Sequence, residues 1–270
     1  MFPLAFPPVH PIAFHLGPIT VHWFGICIAA AFLADMWTPT RGAPRIGVSG
    51  EAIADLVVPW LLLGSIAGAR IMFIVTYWQE EFAGKPFWEI FMIQRGGLVF
   101  YGGLIGASLT VIIYARIKKV SLWKLADILA PSIALGSMFG RIGCLMNGCC
   151  FGRTCDLPWA IHFPGEHYTG GQPVHPTQIY DALLNLALYA GLAWFFRHRR
   201  KFDGQIFAIY LMCYAVTRSI VELFRGDYTA PHLHNGLTPA HLLSVGMILA
   251  GGALLFVLGN RTTAQTSAVK

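Results

Sequence analysis

Charged side chains are scarce in this sequence: Asp, Glu, Lys and Arg make up only 12% of its 270 residues, whereas 56% are hydrophobic. A soluble domain carries about 25% charged residues, so this chain cannot cover itself with a polar surface, and a soluble globular protein is excluded. The N-terminal segment lacks both a basic region and a small-residue cleavage site, so we expect no removable signal peptide. The composition predicts an all-α polytopic membrane protein.

The apolar residues fall into blocks long enough to cross a bilayer, which takes about 20 residues for each helix. We expect seven spans, at about 17–38, 53–78, 96–115, 125–147, 177–196, 204–224 and 238–259. Residues 1–270 are expected to form a single integral-membrane domain. Its short extracytoplasmic loops are predicted at 79–95, 148–176 and 225–237.

Lys and Arg are unevenly divided among the connections between these spans. Of the nineteen, twelve follow odd-numbered spans, four lie in the alternate connections and three lie inside spans. Cytoplasmic connections are enriched in Lys and Arg, so the N-terminus is predicted outside and the C-terminus in the cytoplasm. The net charge of +6 therefore indicates orientation in a membrane, and we expect no nucleic-acid partner.

The three arginines inside the spans are Arg70, Arg141 and Arg218, and the predicted topology puts all of them in outer halves. An unpaired charge there costs about 3 kcal/mol or more. Few acids are available to pair with them. Glu222 lies one turn after Arg218, and Arg225 is predicted on the same helical face. We therefore expect an excess of positive charge, which suits the phosphate of a phospholipid.

Other polar residues share this depth. They begin the first, third and fifth spans: His22, Tyr101 and the segment 175–180. Membrane arginines can instead extend to the interface, and Arg218 with Glu222 can be a purely structural ion pair. Polar groups from six spans converge at one level, which favours a binding site over these structural roles.

Glycine is concentrated in two of the predicted spans. The fourth span has three, at Gly136, Gly140 and Gly143. They predict close helix contact, and a bend or unwinding near the end of that span. In the third span Gly106 predicts helix packing. For Gly102 and Gly103, beside Tyr101, helix packing and close approach of a ligand both remain open.

The motifs together resemble one family, the phosphatidylglycerol–prolipoprotein diacylglyceryl transferases of bacterial inner membranes. The resemblance covers nearly the whole chain, through ITVHWFG, GARIMF, GGLVFYGGLIG, GRIGCLMNGCCFGR, HPTQIYDALL and TRSIVELFR in this order. The GRxG…NG…G block, followed by HPTQ-Y and R-x-x-x-E, is its most specific part. Seven spans with the N-terminus outside is also the architecture of that family.

The resemblance implies a reaction. The diacylglyceryl group of phosphatidylglycerol is transferred to the thiol of the lipobox cysteine in a prolipoprotein, and glycerol phosphate is released. It implies no metal and no cofactor. The implied partners are phosphatidylglycerol, other membrane lipid and the lipobox peptide, and the implied site faces the extracytoplasmic leaflet of the inner membrane.

The resemblance also implies roles for particular residues. Arg141 and Arg218 are expected to hold the phosphate and headgroup, with Glu222 orienting Arg218 and Tyr101 a further catalytic candidate. The expected substrate-binding residues shape the signature loop, which we define as residues 147–153, or support the pocket: Arg70, His22, Asn147, Gly148, Gly152, His175, Gln178 and Tyr180. Such arginines would lower the acceptor thiol pKa from about 8.5 and stabilise the departing phosphate.

Four positions depart from the family pattern. Tyr101 stands where the third span usually has His, and Phe24 where a Tyr usually follows the HW pair. Cys144 replaces the asparagine after GRxG, and Cys149 replaces the glutamate after NG. A tyrosine can act as a base only if nearby arginines lower a phenol pKa of about 10. The two cysteines remove polar partners from the signature loop.

Four cysteines fall within twelve residues: Cys144, Cys149, Cys150 and Cys155. On the oxidising side of the membrane a disulfide is the favoured prediction, although not between the adjacent Cys149 and Cys150. A reactive thiol and a metal site are the alternatives. The spacing C-x4-C-C-x4-C is not a standard zinc pattern.

Two other functions remain open. A membrane thiol oxidoreductase would explain the cysteines, but the sequence lacks a clear C-x-x-C pair and a quinone motif, and the arginines stay unexplained. A paralogue that binds or moves lipid without transfer would explain the four departures. The resemblance over nearly the full length favours the transferase.

Overall fold

The computed structural model describes residues 11–17, 19–93, 96–226 and 238–268, and 72% of it is helical. These ranges contain eight α-helices: α1 (Trp23–Gly42), α2 (Gly50–Asp55), α3 (Leu62–Thr76), α4 (Phe100–Ile117), α5 (Leu122–Asn147), α6 (Thr177–His198), α7 (Gln205–Glu222) and α8 (Pro239–Ala268). Four short strands form two antiparallel hairpins: β1 (Ile12–Leu16) with β2 (Ile19–His22), and β3 (Ile161–His162) with β4 (Pro173–Val174).

Within the described residues, five helical segments are long and apolar enough to cross a membrane. They are Gly50–Thr76, Phe100–Ile117, Leu122–Asn147, Thr177–His198 and Pro239–Arg261. The first of them joins α2 to α3 through a π-helical segment, Leu56–Leu61. The chain is therefore a mostly helical protein with multiple candidate membrane spans. The other two predicted spans overlap α1 and α7, which do not meet this criterion, so the number seven stays a prediction.

The beginning of the first predicted span is wrong. Strands β1 and β2 pair with each other within this region, and α1 starts only at Trp23. The turn contains Gly17 with φ 61°, a left-handed backbone conformation that favours glycine. The β-branched residues Ile19, Thr20 and Val21 favour the extended backbone of β2. Two outer loops are only partly described, because residues 94–95 and 227–237 lie outside the described ranges.

Contacts between residues divide the chain into two compact units, one of residues 39–125 and one of residues 1–38 with 126–270. In the first unit, α3 and α4 approach closely through paired glycines. A Cβ on Gly68 would lie 2.8 Å from the Cα of Gly106 and still closer to the carbonyl oxygen of Gly102. The prediction of helix packing at Gly106 is confirmed, and Gly102 packs in the same way.

In the second unit, α5 is helical through Asn147, so the predicted unwinding of its end is wrong. Two of its glycines instead lie where α1 packs closely against α5. A Cβ on Gly136 would lie 3.0 Å from a carboxylate oxygen of Asp35, and one on Gly143 would lie 3.0 Å from the ring of Phe24. Removing the side chain at these positions lets the neighbouring helix come close without breaking α5.

The start of α7 is held by Asp127 of α5, which is completely buried. Its carboxylate accepts hydrogen bonds from the backbone N–H groups of Gly204 (2.8 Å) and Phe207 (3.0 Å) and from Arg200 Nε (2.9 Å). These bonds satisfy free N–H groups in the first turn of α7. A small core lies alongside, formed by Ala130, Ala134, Leu192, Ile206 and Tyr210. Helices α5, α6 and α7 therefore pack as one group.

Candidate active site

The signature loop begins with a helix stop. Gly148 has φ 71°, its N–H donates to Leu145 O (3.2 Å), and the N–H of Cys149 donates to Cys144 O (3.1 Å). These two bonds form the Schellman motif, which needs a left-handed residue after the helix and therefore favours glycine. The Asn-Gly pair of the motif thus ends α5 at Asn147, whose side chain is exposed.

The first turn of α6 holds the loop in place. Gln178 Nε2 donates to the carbonyl oxygen of Cys149 (2.7 Å), and Thr177 Oγ1 donates to that of Cys150 (2.6 Å). Both donors are 1% exposed, so these bonds are shielded from competing water. Gln178 therefore binds the loop backbone, and its role in a substrate pocket stays a prediction.

Gly152 lies between two other segments of the site. Its N–H donates to His175 O (3.0 Å), and Arg153 N–H donates to Phe224 O (2.8 Å). A Cβ on Gly152 would lie 2.5 Å from the Cβ of His175 and 2.7 Å from Phe224 O. No side chain fits there, so the final glycine of the loop permits the backbone to pass between the start of α6 and the end of α7.

Two further predicted residues, His175 and Tyr180, contact each other. Tyr180 Oη accepts a hydrogen bond from Trp159 Nε1 (2.8 Å) and lies 3.4 Å from His175 Nδ1. The His175 ring also lies 5.2 Å from the ring of Phe224. The two residues therefore belong to a polar and aromatic cluster that joins the loop to α6 and the end of α7.

His167 is a contact that the sequence pattern does not indicate. Its Nε2 atom lies 2.7 Å from Gly148 O, and its ring stacks on Phe163 at 4.5 Å. A core of four buried residues lies beneath: Leu145, Ile161, Phe163 and Val174. The loop therefore packs against the small β3–β4 hairpin, which lies within the predicted outer loop 148–176.

Arg141 is paired with a residue that the sequence analysis does not include, Asp181. Arg141 Nε lies 2.7 Å from Asp181 Oδ2, and the aspartate side chain is only 4% exposed. Asn185 Nδ2 donates to the other carboxylate oxygen of Asp181 (2.7 Å), which fixes its orientation. Asp181 follows the HPTQIY motif directly, which is the signal in the sequence that could have found it.

Arg218 is paired with Glu222, as the spacing of one helical turn predicts. Arg218 Nη1 lies 2.6 Å from Glu222 Oε2, although without hydrogen-bond geometry, and the glutamate side chain is 1% exposed. Glu222 Oε1 accepts from Thr238 Oγ1 (3.1 Å), just before α8. Tyr214, one turn before Arg218, lies within electrostatic range of Arg141. The two arginine pairs therefore belong to the same group of helices.

The expected excess of positive charge is not found at these two residues, because Arg141 and Arg218 each contact a carboxylate. The prediction that Arg225 lies on the same helical face as Arg218 and Glu222 is also wrong. Helix α7 ends at Glu222, and the backbone of Arg225 pairs instead with Gly152. A paired guanidinium still has free N–H groups for a phosphate, since each guanidinium carries five.

Arg70, in the other unit, is used differently. Its guanidinium donates to four backbone carbonyl groups, those of Glu89 (2.9 Å), Ile90 (2.7 Å), Gly96 (2.9 Å) and Gly97 (3.1 Å). The residue is 8% exposed. It therefore holds the connection before α4 in place, and its role in substrate binding stays a prediction.

Tyr101 and His22 are two further predicted site residues that are exposed, as Asn147 is. Tyr101 lies in the first turn of α4 and is 61% exposed, with its ring 5.9 Å from that of Phe100. His22 is the last residue of β2 and is also exposed.

The favoured disulfide is not formed, because all six cysteines, which lie within the described ranges, are free thiols. Three of them instead converge: the sulfur atoms of Cys144, Cys149 and Cys150 all lie within 4.8 Å of one another. Hydrogen bonds from Cys144 and Cys149 lower the pKa of the Cys150 thiol. The positive charges of Arg141 and Arg225 act in the same direction.

These features define a class: a helical membrane protein in which carboxylates hold two arginines in the group of helices that also carries a glycine-containing loop, an arrangement suited to an anionic ligand. The chain belongs to the prolipoprotein diacylglyceryl transferase family, whose model matches residues 11–257. This confirms the family resemblance.

Individual relatives match over nearly their whole length. The chain is 36% identical over 255 residues to the phosphatidylglycerol–prolipoprotein diacylglyceryl transferase of Chromohalobacter salexigens, covering 93% of each chain. It is 38% identical over 254 residues to that of Idiomarina loihiensis, again covering 93% of each. For the Rhodospirillum rubrum protein of the same name, identity is 34% and coverage is 97% of this chain and 96% of the relative.

Replacing Gly152 by Ala tests the packing of the loop. The added methyl group would overlap His175 and Phe224 O, so we expect a loss of about 1–3 kcal/mol in the free energy of unfolding. Gly165→Ala is the matched control, because a Cβ there meets nothing within 4 Å. Thermal unfolding of the purified proteins measures both. Equal stability of the two variants would contradict the packing described for Gly152.

Proposed function

We propose that this chain, acting as a single integral-membrane domain, transfers the diacylglyceryl group of phosphatidylglycerol to the lipobox cysteine of a prolipoprotein. This is the first step of lipoprotein maturation. The observation that carries the proposal is Arg141: it is held by buried Asp181 and lies near the end of α5, within the GRxG…NG…G block that matches the family motif. Family membership supplies the reaction, and the two arginine pairs supply groups suited to its leaving phosphate.

The reaction needs little beyond electrostatics. The thiolate sulfur of the acceptor cysteine attacks the terminal glyceryl carbon, a C–S bond forms, and the C–O bond to phosphate breaks. The bonding electrons leave with glycerol phosphate, whose bridging oxygen gains negative charge. Arg141 and Arg218 stabilise that charge, and because their carboxylate partners already orient them, little reorganisation is needed as the bond breaks.

The remaining residues act through these two. Asp181 and Glu222 are positioning residues for the arginines, and Gln178 positions the loop that carries Asn147 and Gly148. The other proposed contributors are Gly152, His175 and Tyr180 in the loop cluster, Arg70 and His22 as supports, and Tyr101 as a further catalytic candidate. The acceptor must bring its own thiol, so the lipobox peptide is the proposed second substrate.

We further propose seven spans in a bacterial inner membrane, with the N-terminus outside, the C-terminus in the cytoplasm and the site at the extracytoplasmic leaflet. Helices α1 and α7 are the two spans of lower hydropathy. Helix α7 carries Arg218 and Glu222, and α1 carries Asp35. Charged groups that are buried against neighbouring helices lower the hydropathy of a span without exposing charge to lipid. The distribution of Lys and Arg supports this orientation.

Replacing Arg218 by Lys tests the transfer directly. Lysine keeps the charge but loses the planar pair of donors, so we expect the rate to fall by about a hundredfold or more. Purified protein is incubated with phosphatidylglycerol and a lipobox peptide, and mass spectrometry detects the diacylglyceryl thioether. Arg199→Ala, which changes an exposed arginine, is the control and should retain the wild-type rate.

Either of two outcomes would overturn the proposal. A folded wild-type protein that binds the lipid but forms no thioether would be a lipid-binding paralogue. Equal rates for Arg218→Lys and the wild type would remove the arginine from the reaction.

Asp181→Asn tests the positioning of Arg141. The amide keeps the shape of the side chain but removes the charge that orients the guanidinium. We expect kcat to fall roughly tenfold to hundredfold, the worth of a charged hydrogen bond, with little change in KM. Asp181→Glu should restore part of kcat. Asp203→Asn, which alters one of the two carboxylate partners of Arg200, is the matched control. A fall in stability without a change in kcat would assign Asp181 a structural role only.

The orientation predicts which loops an impermeant thiol reagent can reach in intact cells. Glu166→Cys replaces an exposed residue of the 148–176 loop, and Lys201→Cys replaces one between α6 and α7. We expect labelling above that of the parent chain for the first variant in intact cells, and for the second only after lysis. The reverse pattern, or equal labelling of both in intact cells, would refute the proposed topology.

A further inference from the structure

One cluster of reactive side chains has no role in the proposed transfer. It consists of Cys144 in the last turn of α5 and Cys149 and Cys150 in the signature loop, and all three are half-buried. Their sulfur atoms all lie within 4.8 Å of one another. Cys155, the fourth cysteine of this segment, is not part of the cluster.

The end of α5 brings the first two sulfurs together. In a Schellman motif the residue two positions beyond the helix contacts the residue one turn before its end. Here these positions are Cys149 and Cys144, joined by the 3.1 Å backbone hydrogen bond. The Cys149 thiol also lies 3.7 Å from Cys144 O. Their proximity is therefore a consequence of the helix cap and does not depend on a covalent bond.

The third sulfur is placed by an unusual backbone. Cys150 has φ 63°, a left-handed conformation that residues with a side chain rarely adopt. The buried donors Thr177 and Gln178 bind the carbonyl groups of Cys150 and Cys149, which lie on either side of the Cys150 Cα. Such strain persists only where surrounding contacts enforce it, and it is concentrated at ligand sites.

We propose that Cys144, Cys149 and Cys150 form a binding site for a thiophilic d10 cation, Cu(I) or Zn2+. Thiolate ligands select such soft ions. Sulfurs at about 2.3 Å from one ion lie about 3.8 Å apart in tetrahedral geometry, so small side-chain rotations bring the three into coordination. The ion joins the end of α5 to the loop as a structural ligand. This inference replaces the expectation, drawn from the resemblance, that the chain holds no metal.

Charge balance is favourable at this position. Each thiol releases its proton to solvent when it coordinates, so three thiolates leave a complex of net charge −2 with Cu(I) or −1 with Zn2+. The positive charges of Arg141 and Arg225 lie within electrostatic range of Cys150. They offset the negative charge that a three-thiolate complex would otherwise bury near the membrane.

A disulfide makes a different prediction. It would join two of the sulfurs, leave the third as a free thiol, and require an oxidant. An ion uses all three sulfurs and requires none. Replacing any one of the three cysteines therefore has the same effect on ion binding. A disulfide would be lost on replacing either bonded cysteine but would still form when the third is replaced.

Titration of the purified, reduced full-length chain tests the proposal. Cu(I) and Zn2+ are supplied in separate experiments against a chromogenic chelator, and thermal unfolding is recorded with each ion. We expect about one ion per chain, a raised unfolding temperature, and loss of both effects in Cys144→Ser, Cys149→Ser and Cys150→Ser. The ion bound against the stronger chelator is the one that the site prefers. Cys155→Ser is the matched control and should bind as the wild type does.

Three results would overturn the proposal: no ion held against the chelator, unchanged binding when all three cysteines are replaced, or binding lost equally with Cys155→Ser. Mass spectrometry after thiol alkylation of the unreduced protein is the companion measurement. A disulfide between two of the three cysteines in the protein as isolated from cells would also refute it. These readouts measure binding and stability alone, so they are independent of whether the chain catalyses the transfer.

Discussion

A guanidinium group buried among apolar helices needs a carboxylate or several carbonyl groups, and the parts of this protein that carry the site are arranged around that requirement. Arg141 of α5 pairs with Asp181 of α6, and Arg218 pairs with Glu222 within α7. Arg70 finds four carbonyl groups in the connection before α4. Each of these three interactions also fixes the position of the segment that supplies the partner of the arginine.

The two carboxylate pairs differ from the carbonyl cage in what they leave available. Arg70 uses all three of its nitrogen atoms on carbonyl oxygens, so it has a structural task. Arg141 and Arg218 each contact one carboxylate, and their side chains remain 23% and 18% exposed. In the proposed transfer, the departing phosphate meets donors that are already oriented. Preorganisation of this kind, more than an excess of charge, explains how two arginines could serve the transfer.

The signature loop shows how one short motif can satisfy several constraints. Gly148 ends the helix, Gly152 passes between two backbones, and the carbonyl groups between them are bound by Thr177 and Gln178. The HPTQ motif and the loop motif are therefore one structural unit, although they are separate in the sequence. The same cap that ends α5 places Cys149 against Cys144, which links the departure from the family pattern to the proposed ion site.

The sequence by itself determined the helical membrane class and, through the order of its motifs, the family, because apolar runs and motifs are read along the chain. Gly148 also follows from local turn chemistry, whereas the need for glycine at Gly152 depends on contacts with His175 and Phe224. It also predicted the Arg218–Glu222 pair, since one helical turn joins them. Only the tertiary structure decided that Asp181 pairs with Arg141, because a contact across 40 positions depends on how α5 and α6 pack. For the same reason it decided that three cysteines converge rather than two being bonded.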